Sequence, residues 1–444
     1  MPGGTWTTQN KTLPGVYIRF KNGSALGLAV GERGIVTICE PMSWGPVAQV
    51  TPVTPDMDLT TITGYDITAA QNLFIQQIFT GTNRTNPPTQ LLLYRPTASG
   101  SAQATATEGV LTATALYPGA RGNDITIVIT ALTEPESSYT VATVVDGAMV
   151  DEQTAANVSD LVANDWVTWS GTGALSATTG VALTGGQDGT VQSAAYSTYL
   201  TAIEPYKFDV MIYDGDDSSV LTALQSFIKR VNEENGQYCQ LVAAEVTNPD
   251  TQYIINVNSP ATLSDGTELT PQQVTWWAGG ASAGATYNQS LTFATYPGAV
   301  STTMQTNTQL ATDVAAGLFD LFAEDGTVKV MQDINSLVTF TDEYGKPFRK
   351  NRVFRLVSTI ANNIYSQFSA NFIGVVNNNE SGRAQFKTAI VGYLQEIQGN
   401  QGIQNFTADD VEVLPGNDID AIVVNVAIQV VDSVEKIYMT IEVS

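Results

Sequence analysis

Gly280, Ser282 and Gly284 satisfy the G-x-S-x-G spacing that presents a serine nucleophile on a strand-to-helix elbow. Such a serine needs a histidine to take its proton, and the 444 residues contain none. The same absence removes Cys-His dyads, most zinc sites and the usual base near neutral pH, so any enzyme reading must rest on carboxylates, lysine or tyrosine. The flanking segment 276–285 shows no clear elbow, and Ser282 is expected in a small-residue packing segment or loop. Asp214, Asp216 and Asp217 crowd one loop, but without the spaced ligands and distal glutamate of a calcium loop. They are better placed turning the chain after a strand, with Asp217 or Ser218 capping the next helix. No phosphate-binding glycine order is present. Cys39 and Cys239 lie far apart within apolar stretches and are expected as buried free thiols. The expected catalytic, cofactor-binding and metal-ligating residues are therefore none, and the chain is not expected to be an enzyme.

One charge feature stands out. Lys346, Arg349, Lys350, Arg352 and Arg355 put five of nineteen basic residues into ten positions, around the start of an apolar-striped helix. A helix N-terminus already carries partial positive charge, so cations there call for anions nearby. Either a docking partner supplies them, or the chain's own acids do, or the face is simply solvated.

Around these residues the chain falls into blocks of different texture. Residues 31–95 hold a strand at 34–39, a proline-rich connection, a helix at 68–79 and a buried strand at Leu91–Tyr94. From 96 to 189 the composition turns to Thr, Ala, Val and Gly, with short alternating strands near 124–130, 139–146 and 166–170. That stretch has Arg121 against ten acids, and reads as a β-sandwich or barrel domain inserted on the outside. Residues 190–345 return to α/β: a strand at 207–213, a helix at 218–235 and a strand at 240–246 make a βαβ unit, followed by a helix at 307–322 and a strand from Val328. The last block, 346–444, carries helices whose Val353, Val357, Ile360, Ile364 and Phe368, then Phe386, Ile390, Tyr393, Leu394 and Ile397, recur at helical spacing. Asn377–Gly382 stops one helix and starts the next.

Both termini look like pairing arms. Val424, Val426, Ile428 and Val430 alternate with polar residues, Asp432 and Ser433 suggest a turn, and Ile437, Met439, Ile441 and Val443 alternate again, which reads as a C-terminal β-hairpin. At the other end, Val16, Ile18 and Phe20 follow a polar leader, within an N-terminal arm at 1–30. Apolar strands at both ends leave sheet edges to be covered, either by other copies of the chain or by the chain's own strands.

Net charge is −24, which speaks against nucleic acid and an anionic membrane surface as partners. Charged residues are only 14%, well below the roughly 25% of an average domain, and a surface with few charges to desolvate suits wide protein contacts. The opening MPGGTWTTQNK has no signal-peptide core, and no apolar run approaches a membrane span, so synthesis in the cytoplasm is expected.

Several segments carry a resemblance over essentially the whole chain: Gly3-Gly4-Thr5-Trp6 with Lys11 and Pro14-Gly15-Val16-Tyr17; Ala115-Leu116-Tyr117-Pro118-Gly119-Ala120-Arg121-Gly122-Asn123; Leu183-Thr184-Gly185-Gly186-Gln187-Asp188-Gly189; and Asn377 to Phe386. Together they resemble the contractile phage tail sheath protein, in the form found in defective prophages and contractile bacteriocins of Gram-positive bacteria. The resemblance implies an α+β multidomain fold. Its parts would be a subtilisin-like α/β core without catalytic residues, an outward-facing inserted β domain and a C-terminal α+β assembly domain with strand arms. It implies stacked, hexameric rings of the chain around an inner tail tube protein, capped by baseplate and tail terminator proteins and released by lysis. The basic cluster would then meet the tube or a neighbour, and the terminal arms would join neighbours during contraction. A static surface array or adhesin-like subunit is the alternative.

Overall fold

The structure, a computed structural model, describes residues 3–4, 16–17, 33–134, 137–342 and 344–443, without the side chains of 3–4, 16–17 and 367–370. The expected N-terminal arm therefore lies outside the described residues, Ile18 and Phe20 included. Only the parallel pairing of Gly3–Gly4 with Val16–Tyr17 is seen there. The chain forms two compact units, one of residues 1–31 and 363–430, the other of 32–362 and 431–444.

The larger unit is organised by a seven-stranded sheet. Its order is Leu318–Phe319, Ile254–Val257, Gln240–Ala244, Val210–Ile212, Ile35–Cys39, Gln90–Tyr94 and Val50–Val53, all parallel except the last pair. Successive residues enter opposite cores. Val36, Ile38, Leu91, Leu93, Val210 and Ile212 face one side, and Leu92, Tyr94, Met211 and Tyr213 the other. Burial on both faces is why these strands read as continuous apolar runs. The helices Leu73–Ile78 and Pro271–Gly284 cover the first face, and Ala194–Ile203 and Ser218–Glu233 the second. Asp217 caps the last of these through the amides of Ser219 and Val220, as its sequence position suggested.

Two expected helices are shorter than their patterns. The 68–79 segment is a 3₁₀ turn, Ala70–Asn72, followed by Leu73–Ile78. The 307–322 segment stops at Ala315. Gly317 then turns left-handed at φ 81°, where a Cβ would run into the backbone of Ser336, and the chain enters the edge strand Leu318–Phe319.

Between the strands Gln90–Tyr94 and Val210–Ile212 the chain builds two further sheets around one core. One has the order Ala148–Ala155, Tyr139–Val145, Ile125–Ala131, Val181–Ala182, and the other Val167–Gly171, Leu111–Ala115, Thr105–Glu108. Trp44 reaches this core from outside the inserted stretch and packs against Tyr117 and Trp166 at 5.3 and 5.0 Å between ring centroids. Arg121, the one basic residue of the 96–189 segment, adds a polar tie. Its Nε donates to Gly64 O at 2.8 Å, its guanidinium lies 4.2 Å over the Tyr65 ring, and Asp124 and Asp146 neutralise it.

The smaller unit contains the second part of the helix Asn351–Asn371, then Glu380–Gly399 and two short antiparallel pairs. Asn379 caps Glu380–Gly399 through the Gly382 amide at 2.8 Å, while Asn378 holds the carbonyls of Ile419 and Ala421. The Asn377–Gly382 segment thus starts a helix and fixes the turn of the pair Val411–Pro415/Ile422–Val426.

Candidate assembly interface

The C-terminal hairpin does not form as expected. Val424 and Val426 pair with Val413 and Val411, and Val430 pairs with Ile403, so the first expected strand finds its partners upstream. Ile428 falls between those two pairs. Asp432 and Ser433 do not fold the chain back, and Ile437, Met439, Ile441 and Val443 belong to no strand. Glu435 is held on the larger unit. Its carboxylate pairs with the Lys350 ammonium and accepts from Thr292 Oγ1 at 2.8 Å and Gln332 Nε2 at 2.6 Å. Beyond it the segment is bare, with Ile437, Met439, Ile441 and Val443 each 75–93% exposed. An alternating Ile-Met-Ile-Val stretch left in solvent is a segment with a strand's pattern and no partner.

The basic cluster is also different from a flat cationic face. Arg355 is fully buried and donates from Nη2 to Asp333 Oδ2 at 2.5 Å and to Gln289 O at 2.9 Å, so it cannot touch a tube or a neighbour. Lys350 is occupied by Glu435. Arg352 is largely buried. Burial lowers its pKa, while Asp432 and Asp333 oppose that shift. The anions called for near the helix start are thus supplied by the chain itself, chiefly by Asp333, Asp432 and Glu435. Lys346 stays exposed, and Arg349 is half-buried with Nε and Nη2 unpartnered in the described structure.

Ser282 lies in the interior of the helix Pro271–Gly284, fully buried, with Arg355 Nη1 3.5 Å away. Cys39 and Cys239 are buried free thiols, with burial pushing both pKa values up. Among the described residues no acid or thiol cluster of three or more could hold a metal, and no helix is long and apolar enough to cross a membrane.

A site the sequence did not reveal sits at the carboxyl ends of Ile35–Cys39 and Val210–Ile212. The sheet order reverses between these strands, where open α/β sheets form a crevice. Asp214 Oδ2 accepts the Trp276 indole N–H at 2.7 Å, and the neighbouring Glu40 has a buried Oε2 that meets no protein donor. Burial, then the charge of Asp214, raises the Glu40 pKa well above the carboxylate range; burial raises that of Asp214 too. A carboxyl raised in the folded state penalises folding at pH above its unfolded value, and the penalty disappears as pH falls to that value. Glu40→Gln keeps a donor toward Asp214 and removes the penalty. Its Tm at pH 7.5 is expected about 1–3 °C above wild type, with the gap closing near pH 4 in calorimetric scans.

The comparisons with known proteins bear on the whole chain. Residues 98–188 match the phage tail sheath protein beta-sandwich domain, 189–336 the phage tail sheath protein central domain, and 343–444 the phage tail sheath C-terminal domain. The sheath tail protein of Desulfitobacterium hafniense is 38% identical, with a TM-score of 0.85 over 96% of this chain and 99% of that one. The chain belongs to the phage tail sheath family. This sheath protein is also 35% identical, over the full length of both chains, to the phage-like element PBSX protein XkdK of Bacillus subtilis (strain 168). Its fold extends to the sheath complex of an extracellular contractile injection system in the contracted state, at 12% identity and a TM-score of 0.56 over 98% of each chain.

Proposed function

We propose that this chain polymerises as stacked hexameric rings around an inner tail tube and shortens by rigid-body rearrangement while terminal segments keep neighbours joined. The observation that carries this reading is the exposed, strand-patterned segment at 437–443. Its residues alternate as a strand, stand in solvent, and begin two positions after the anchored Glu435. Paired with a neighbour's sheet edge, it gains a ladder and buries its apolar side chains; alone it gains neither. In the same reading the inserted β-sandwich faces outward, the subtilisin-like α/β core carries no catalytic residues, and the C-terminal block faces the tube. Lys346 and Arg349 are the members of the basic cluster left for a tube or neighbour contact. The partners are copies of this chain, the tube protein, and the baseplate and tail terminator proteins, with assembly in the bacterial cytoplasm and release by lysis.

Purified protein viewed by negative-stain electron microscopy is expected to form long tubes with helical striation. Flat sheets, or a 47.3 kDa monomer by light scattering across salt and concentration, would overturn the reading.

A further inference from the structure

Residues 431–435 alternate between half-buried and exposed, and from Lys436 onward every described residue is exposed. Burial against the larger unit therefore ends at Glu435. The Glu435 and Lys350 side chains are only 11% and 19% exposed. The socket is continuous with the interior, because Thr292 Oγ1, which donates to Glu435, also accepts the Asp333 amide at 2.9 Å. Asp432 provides a second electrostatic tie, to Arg352. Lys350 is the residue immediately before the helix Asn351–Asn371, along which the chain leaves for the smaller unit, and Glu435 lies five residues after that unit's last. One ion pair thus fastens the outgoing and the returning chain together.

We propose that Glu435 and its socket of Lys350, Thr292 and Gln332 form a releasable clasp that sets the reach of the segment beyond it. Closed, the clasp lets only the residues after Glu435 extend from the larger unit. Open, the free segment runs back to Val430, the last residue of the smaller unit, and gains five residues, roughly 17 Å of extended chain at about 3.3–3.6 Å each. Four polar groups in a near-surface socket suit such a release, since each can be rehydrated, whereas an apolar anchor would resist it. The value of that slack rests on the reading of 437–443 as the link between protomers: neighbours that rearrange while joined need a link that lengthens. The clasp would supply that length without breaking the strand at its far end.

The test uses the full chain with Glu435→Ala and, separately, Lys350→Met, under conditions where it is dispersed. In wild type, hydrogen exchange at 431–435 is expected to be slower than at 437–443. Either variant should speed exchange at 431–435 by about tenfold or more, while the seven-stranded sheet stays protected. Spin labels at Lys346→Cys and Ile441→Cys should show a broader distance distribution when Glu435→Ala is added, because the label at 441 is then held by a longer free segment. Equal exchange across 431–443 in wild type, or unchanged exchange and distances in both variants, would overturn the clasp. Failure of the linking reading shows separately, as normal tubes from a chain lacking 437–444.

Discussion

Deleting residues 437–444 is expected to leave a folded protein that builds no tubes. The described part of the segment makes no ladder bond within the protomer, and its apolar side chains are already in water, so its removal costs the fold little. The loss is expected at the proposed joint between copies. A strand of this length forms roughly four to six ladder bonds at a net ~0.5–1.5 kcal/mol each. Burial of one apolar face at ~25 cal/mol per Å² adds to that. Several kcal/mol per joint is modest for one pair of protomers and decisive when repeated through a lattice. Ile441→Lys should act in the same direction, since it places a charge on the face carrying Ile437, Met439 and Val443, whereas Thr440→Lys on the other face should be milder. Circular dichroism and sedimentation check the two halves separately. Normal tubes from the truncated chain would refute the link, and an unfolded truncated monomer would show that the segment serves its own subunit.

How much of this was legible in the residues depended on what each pattern could see. The central strands announced themselves because both faces are buried, so Leu91, Leu92 and Leu93 form an unbroken run although they enter two different cores. The helix Ser218–Glu233 was legible for the opposite reason, with one wet face and a capping aspartate in front. The helix Pro271–Gly284 was not legible, because residues 274–283 are buried all round and leave no contrast from which to read a period. Its glycines suggest a loop, yet they are there for close approach. A Cβ on Gly280 would sit 2.0 Å from the carbonyl oxygen of Ile78.

The assembly surfaces were half legible. Period-2 alternation identified 424–426 and 437–443 as strand-like, but alternation says nothing about partners, and Val424 chose Val413. Of the anion sources left open for the basic cluster, the chain's own acids are the one found, but the pattern could not name them. Counting charge along ten positions cannot see Asp333 or Glu435, because Glu435 meets Lys350 from 85 residues away. The pairing of Glu40 with Asp214 gave no signal either; the sheet order alone brings them together.

Arg355→Met is expected to destabilise the larger unit by about 3–5 kcal/mol. Arg355 and Asp333 are 0% and 1% exposed, so removing the guanidinium leaves a carboxylate charged, buried and short of a partner. Asp333 would keep the Leu291 amide on Oδ2 and the Asn351 side chain on Oδ1, both at 2.9 Å, which limits the loss without cancelling the charge. Gln289 O would lose its donor from Arg355, and a methionine supplies no replacement. Asp333→Asn alone is expected to destabilise as well, because it leaves the buried cation. Combined with Arg355→Met, however, it removes the second charge, and the double variant should be more stable than Arg355→Met alone. Urea unfolding followed by tryptophan fluorescence, with Trp276 and Trp277 in the same core helix as Ser282, reads the effect directly. A loss below about 1 kcal/mol for Arg355→Met, or a double variant worse than the sum of the two singles, would show that the pair does not act as a compensated buried charge.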